Sequence, residues 1–332
     1  MSSSSPVVSI IIPAYNAAQW IADTLQSALD QTWKNREIIL IDDGSTDQTV
    51  TIAKRYESPA LKIISQANQG PGQARNRGFR ECQGEYIQYL DHDDLLSPEK
   101  IEAQLQVLMQ NPERIVGVSG AVYFMDGQEP SKGLRENGWP MVSTNDPINW
   151  LIDLFGPDGP FSMVPPGCWL TPRALIESAG EWDELPTPDD DGDFFTRVLI
   201  ASSGIRRAEA GTFYFRKHPN GANRSCVRTE ELHWGALRST ERKAAVILAK
   251  SDAPRARRAL ANLFMNRAFA SYPFYPEITK TAISRAKELG GASFFPRFGT
   301  WRGELLSRLI GWKLARKASV LYDRHVRAAW SN

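Results

Sequence analysis

The chain has few cysteines, few histidines, almost no net charge and no long apolar run. Its 332 residues include three cysteines, Cys82, Cys168 and Cys226, widely spaced and without a CxxC pair. That excludes a disulfide framework and a zinc ribbon, and fits reduced thiols in a cytoplasmic protein. No apolar segment is long enough to span a bilayer, so no transmembrane helix is expected. Met1 to Pro6 is Ser-rich and lacks a basic region and an apolar core, unlike a signal peptide. The formal net charge of +1 argues against a general nucleic-acid binder, and no nucleic-acid partner is expected. Neither GxGxxG nor GxxxxGK follows a strand-like segment, which removes dehydrogenase and P-loop readings.

What is present is a sizeable apolar fraction, 42%, enough for a real core. The near-neutral total also hides an asymmetry. From Glu231 onward there are 19 Lys and Arg against 7 Asp and Glu; the rest of the chain carries 20 against 31. An acidic globular part followed by a basic one is the simplest reading.

The first hundred residues alternate strand and helix signals. Val7–Ile12, Glu37–Ile41, Leu61–Ser65 and Tyr86–Leu90 read as short, β-branched or aromatic strands. Helices are expected over Ala17–Gln31 with Asn16 as cap, over Asp47–Tyr56, over Gln73–Arg80, and from Ser97 to about Gln110. The fold class is therefore α/β, with a mostly parallel sheet flanked by helices. In such sheets ligands bind beyond the carboxyl ends of the strands. Asn16, the Asp42–Ser45 turn, the Asn68–Gly72 loop and the Asp91–Asp94 turn all fall there.

Gly156 to Gly167, with four prolines and three glycines, reads as irregular. Phe194–Ser202 reads as a helix and Phe213–Phe215 as a strand. After Thr229, Glu230–Lys250, Ala253–Ala270 and Glu304–Trp330 read as basic amphipathic helices. The division expected is residues 1–228 as one domain and 229–332 as a helical appendage.

Asp91-His92-Asp93 is the sharpest motif. Two carboxylates two residues apart, just after a strand, can converge on Mg²⁺ or Mn²⁺, which would neutralise a diphosphate. The plain alternative is an acidic turn. His92, between the two, is expected to point away from them. In Asp42-Asp43-Gly44-Ser45, Gly44 permits a sharp turn, and the carboxylates could accept from a base N–H or ribose hydroxyls, or simply cap a helix. In Asn68-Gln69-Gly70-Pro71-Gly72-Gln73-Ala74-Arg75-Asn76, Gly72 would let backbone approach a ligand and Arg75 could reach a phosphate. The alternative for Arg75 is a surface ion pair.

Taken in order, Val8-Ser9-Ile10-Ile11-Ile12-Pro13-Ala14-Tyr15-Asn16, the Asp42 turn, Ala74-Arg75-Asn76-Arg77-Gly78 and Asp91-His92-Asp93-Asp94 closely resemble the inverting family 2 glycosyltransferases. The resemblance implies a GT-A fold and residues 1–228 as the catalytic domain. It implies a nucleotide-diphosphate sugar donor, UDP- or dTDP-linked, with the base held at the Pro13–Tyr15 and Asp43 positions, and Asn16, Gly72 and Arg75 also on the donor nucleotide. It implies Asp91 and Asp93 on ribose, metal and diphosphate. Asp190-Asp191-Gly192-Asp193-Phe194 resembles the segment bearing the catalytic base, which puts Asp191 first and Asp190 second. Trp182 would line the acceptor or sugar pocket, or pack in the core. Tyr214-Phe215-Arg216-Lys217-His218 resembles a segment whose His218 completes the metal shell and whose basic residues meet the diphosphate.

The expected function is metal-dependent transfer of a sugar to an acceptor hydroxyl on a saccharide or lipid-linked acceptor, as in surface polysaccharide or glycolipid synthesis. The rival is a non-catalytic nucleotide- or sugar-binding protein of the same fold. The basic C-terminal helices, with Leu305, Leu309, Trp312 and Leu314 beside Arg308, Lys313 and Lys317, suit a peripheral contact at the inner face of a membrane or plain packing.

Overall fold

The computed structural model describes residues 5–111, 114–156, 159–218, 229–293, 298 and 301–330. The boundary expected at Arg228 and the third cysteine, Cys226, lie outside them. Two compact units are present, Met1–Leu151 with Ser162–Val227, and Ile152–Phe161 with Arg228–Asn332.

In the first unit β1 (Val8–Ala14), β2 (Arg36–Asp42), β3 (Leu61–Ser65) and β4 (Tyr86–Tyr89) are parallel, in the order β3-β2-β1-β4. β1 is buried along its whole length, as its continuous β-branched run requires of a central strand. It runs on through Pro13. Pairing with β4 ends at Ile11–Tyr89, so the missing N–H of Pro13 removes no ladder bond on that side. Between these strands lie α1 (Ile21–Leu29), α2 (Thr49–Ala53) with a 3₁₀ turn at Lys54–Tyr56, and α3 (Pro71–Glu81).

The remaining elements are β5 (Leu95–Leu96), α4 (Lys100–Met109), β6 (Ile115–Met125), β7 (Leu134–Arg135), α5 (Pro147–Leu154), β8 (Trp169–Pro172), α6 (Arg173–Ala179), α7 (Asp190–Ala201) and β9 (Gly204–Lys217). β8 joins β4 antiparallel, β6 follows, and β9 runs parallel to β6, giving a mixed nine-stranded sheet.

Two expected caps differ. α1 starts at Ile21, because Asn16 has φ 48° and its Oδ1 accepts from the Thr46 N–H instead. α4 starts at Lys100, because Ser97 Oγ donates to Glu99 and accepts from the Thr212 N–H. The short Phe213–Phe215 strand is part of the long β9.

An aromatic cluster forms the core beneath the strand ends. Trp182 stacks on Phe194 with centroids 4.0 Å apart, Phe194 meets Phe195 edge-on, and Trp169 stacks on Phe195. Each such pair adds about 0.5–1.5 kcal/mol beyond area burial.

The second unit contains α8 (Glu230–Leu248), α9 (Pro254–Ser271), α10 (Pro276–Glu288), α11 (Trp301–Ile310) and α12 (Trp312–Trp330). Thr229 caps α8 by accepting from the Leu232 N–H. α10 was not expected; Pro276 at its first turn and buried Ile278, Ala282 and Ala286 at helical spacing define it. The single helix expected over Glu304–Trp330 is two helices, because Gly311 has φ 80° and breaks the run.

Candidate active site

The expected polar clusters gather at the carboxyl ends of β1, β2 and β4. Asn16 ties the first two ends together: its N–H donates to Ser45 Oγ at 3.0 Å. Next to it the Ala17 N–H donates to Thr49 Oγ1 and the Ala18 N–H to Asp47 Oδ2. Tyr15 stands at this rim 45% exposed, a free aromatic face. Pro13 is buried, and its carbonyl lies 3.2 Å from His92 Nδ1, which must carry the proton to bond there.

Asp43 is 3% exposed and accepts three bonds, from Gln66 Nε2 at 2.8 Å, the Gln69 N–H at 2.9 Å and the Gly70 N–H at 2.8 Å. Its carboxylate holds the 66–70 loop, and most of its accepting capacity is used there. Gly44, at φ 76°, lies so close to Asn68 that a Cβ would sit 2.8 Å from its backbone nitrogen, so the turn needs glycine. Gly72 is also required by a close approach, but to protein. A Cβ there would meet the Asp183 carbonyl oxygen at 2.3 Å, so its neighbour is the segment before α7 and not a ligand.

Arg75, on α3, is 5% exposed. Its Nη2 donates to Asp91 at 2.8 Å and its Nη1 to Asp190 at 2.8 Å, while its Cζ lies 4.4 Å from the Trp182 ring centroid. This is neither the free phosphate hook nor the surface ion pair considered from sequence. Burial opposes the charge, but the two carboxylates outweigh it and raise the guanidinium pKa. Asn76 brackets Trp182 from the same helix, accepting from its N–H at 2.8 Å and donating to its carbonyl at 3.0 Å. Trp182 itself is 2% exposed. It is the floor beneath Arg75, not an open pocket wall.

α7 begins at Asp190, so Asp190 and Asp191 sit in its first turn, where the helix dipole favours carboxylates. The two differ in partners. Asp190 is held by Arg75. Among the described residues, Asp191 accepts only the Gly192 N–H, at 2.8 Å. Burial first, then the neighbouring Asp190 and Asp189 carboxylates, raise the Asp191 pKa well above the ordinary carboxylate range. Asp193 is committed to Arg197 at 3.0 Å.

At the other end of the Asp91–Asp94 turn, Asp93 Oδ2 lies 2.6 Å from His218 Nε2. Burial opposes the Asp93 charge, but this hydrogen bond and the nearby imidazoles lower its pKa. The His218 ring packs against Trp20 at 4.5 Å, and its Nδ1 is buried without a partner among the described residues. The Arg216 side chain is taken up by protein partners. Its Nε donates to the Asp93 carbonyl, its Nη1 to Asp126 and its Nη2 to Asp23, while its N–H holds Asp94. Lys217 lies over the Tyr123 ring. Trp20 and Asp126 also shape the site, and no periodicity or motif marks them; Asn76 lies within the Ala74–Gly78 motif, but its hold on Trp182 is set by tertiary packing.

The expected metal trio of Asp91, Asp93 and His218 is not gathered. Asp91 faces Arg75 while Asp93 faces His218, and no group of three or more His, Cys, Asp or Glu poised for a metal occurs among the described residues. Asp93 and His218 alone still bring a carboxylate oxygen and an imidazole nitrogen to one point. That pair fits a hard divalent cation whose remaining shell is water and phosphate oxygen.

A strand-end site on a parallel sheet, built from these turns in this order, has counterparts. The sequence profile described as glycosyl transferase family 2 matches residues 9–180. The chain belongs to glycosyl transferase family 2. An uncharacterized glycosyltransferase of Rickettsia typhi is 46% identical over 212 residues, 60% of this chain; the match spans 60% of that relative's length. Among solved structures, Staphylococcus aureus TarS residues 1–349 in complex with UDP-GlcNAc superposes with TM-score 0.60 at 17% identity, over 88% of this chain and 94% of that one. The mannosyltransferase PcManGT of Pyrobaculum calidifontis, in complex with GDP-Man and Mn²⁺, superposes with TM-score 0.52 at 18% identity, over 97% of this chain and 88% of that one. This family 2 glycosyltransferase therefore has the GT-A fold, and the clustered turns lie at the carboxyl edge of its sheet.

Proposed function

We propose that the protein transfers a sugar from a nucleoside-diphosphate sugar, UDP- or dTDP-linked, to an acceptor hydroxyl with inversion at the anomeric carbon. The acceptor is a saccharide or lipid-linked saccharide on the cytoplasmic side of a membrane, the chemistry of surface polysaccharide or glycolipid assembly. Residues 1–228 form the catalytic domain and 229–332 a helical appendage. One observation carries the mechanism. Asp190 is ion-paired with Arg75 at 2.8 Å, whereas Asp191, one residue on, forms no ion pair among the described residues, and burial with its neighbouring carboxylates outweighs the lesser pull of Arg75 to raise its pKa.

A carboxylate with a raised pKa is the stronger proton acceptor, which suits Asp191 to the role of base. Asp191 accepts the proton as the acceptor oxygen bonds to C1. The C1–oxygen bond to the diphosphate breaks on the opposite face, and the nucleoside diphosphate departs. Tyr15 offers its ring to the nucleotide base, beside Asn16. Asp43 acts on the nucleotide mainly by fixing the 66–70 loop. Asp93 and His218 would hold a divalent cation, Mg²⁺ or Mn²⁺, which neutralises diphosphate charge when bound. Asp91, held by Arg75, faces the ribose end of the donor.

A thermal-shift screen of nucleoside diphosphates and nucleotide sugars, with and without Mn²⁺, tests the reading. The correct donor raises the unfolding temperature, and more so with the cation. No shift with any nucleotide sugar contradicts it.

A further inference from the structure

α11 and α12 are two-faced. Their inner face is satisfied within the helical unit. Ser307 and Ala315 are buried, Trp312 meets Tyr272 edge-on at 5.4 Å, and Arg316 lies over the Phe269 ring. The outer face is apolar. Leu305 and Leu309, four apart on α11, are exposed, as are Leu314 and Leu321, seven apart on α12. Leu309 is 72% and Leu314 57% exposed, and with Leu305 and Leu321 they make a group of exposed leucines on consecutive helices. Lys313 and Lys317, also exposed, border this face, their ammoniums 5.9 and 6.0 Å from the Tyr272 ring centroid. Across residues 301–330 the sequence has seven Lys and Arg against two Asp and Glu. Neither helix is long and apolar enough to cross a membrane.

We propose that this outer face is a docking surface for an anionic lipid bilayer, with the leucines entering the acyl boundary and the lysines meeting headgroup phosphates. The pattern of an apolar stripe flanked by basic side chains, on helices too polar to span, is that of a helix lying in the interface plane. Lysine stems reach along apolar surface and keep the ammonium in the headgroup layer. The charge selects the occupant. A second copy of this chain would set the basic face against an equally basic one, whereas an anionic bilayer complements it. The proposal stands independently of the donor and base assignments.

Co-sedimentation of the full chain with phosphatidylcholine vesicles, with and without phosphatidylglycerol, tests it. The chain pellets with the anionic vesicles and stays in the supernatant with the neutral ones, and added salt releases it. Leu309→Glu with Leu314→Glu, and separately Lys313→Glu with Lys317→Glu, each weaken binding by at least about tenfold. All four positions are exposed, and unchanged circular dichroism confirms folding; the salt titration of the unmodified chain reports even if a variant misfolds. Absence of vesicle binding overturns the proposal, as does equal binding to neutral vesicles. A dimer in solution that Leu309→Glu with Leu314→Glu returns to monomer, without vesicle binding, assigns the face to a second copy and also overturns it.

Discussion

Arg75 donates to Asp190 at 2.8 Å and so ties α3 to the first turn of α7. The same guanidinium holds Asp91 at the end of β4, so one side chain links the two acidic segments of the site. Its planar fork is what allows both contacts, and lysine cannot reproduce it. Arg75→Ala leaves two carboxylates without their shared cation and should destabilise the first unit by about 3 kcal/mol. Arg75→Lys should restore most stability but less activity. Urea denaturation and turnover of the two variants check this; equal behaviour of Lys and Ala variants would contradict the bridging role.

Trp182 should matter to stability before it matters to substrate. Packed on Phe194 and under Arg75, it leaves a large cavity when truncated. Trp182→Ala should cost about 3–5 kcal/mol, and Trp182→Phe clearly less. The Phe variant should keep its KM for donor, measured by steady-state kinetics. A donor KM that rises severalfold in Trp182→Phe, with stability intact, would restore Trp182 to a pocket wall.

Much of this site is visible in the sequence. β1, β2 and β4 are legible because a central parallel strand must be apolar on both faces; Asp42 closes β2, and Asp91 lies two residues past β4. The partners of the polar residues are not legible. Gly72 looks like a ligand-facing glycine until Asp183, more than a hundred positions later, is found against it. Arg75 looks like a phosphate hook until both its carboxylates are known, since ion-pair partners are chosen by tertiary packing. Gly311 splits α11 from α12 although the apolar periodicity runs through it, because periodicity does not register a positive φ. Asn16 and Ser97 have good capping side chains, but Thr46 and Thr212 compete for them.

Asp93 and His218 predict cation dependence of donor binding. Removing divalent cations with a chelator should weaken nucleotide-sugar binding by at least about tenfold, and His218→Ala should remove most of the response to added Mn²⁺. Calorimetry with and without Mn²⁺ measures both. Donor affinity unchanged by chelation would argue that the Asp93–His218 bond is only a structural one.

Lys100 should make stability depend on pH. It is fully buried on α4, with Nζ donating to Gln88 and Gln104, and burial lowers its pKa to about 7. Between that value and the ordinary lysine range the unfolded chain holds a proton that the native chain has shed. Stability should therefore rise with pH above about 7, by up to about 1.4 kcal/mol per unit. Lys100→Met should flatten the profile, as read by denaturation midpoints across that range. A wild-type profile that is flat or falls there would contradict the neutral buried amine.

The base assignment is tested most directly in Asp191→Asn. A carboxyl whose pKa is higher folded than unfolded binds its proton more tightly in the native state. Its stabilising contribution is complete below the ordinary carboxylate range and is lost as pH rises through the raised value. The amide carries no such charge, so the variant should be at least as stable as wild type at neutral pH. It should still bind the donor, yet turn over roughly 10²–10⁴-fold more slowly. Donor affinity by calorimetry, paired with product formation under saturating donor, decides the matter. Intact binding with collapsed turnover is the expected result; turnover near wild type in Asp191→Asn, or loss confined to Asp190→Asn, would contradict the assignment of Asp191 as the base.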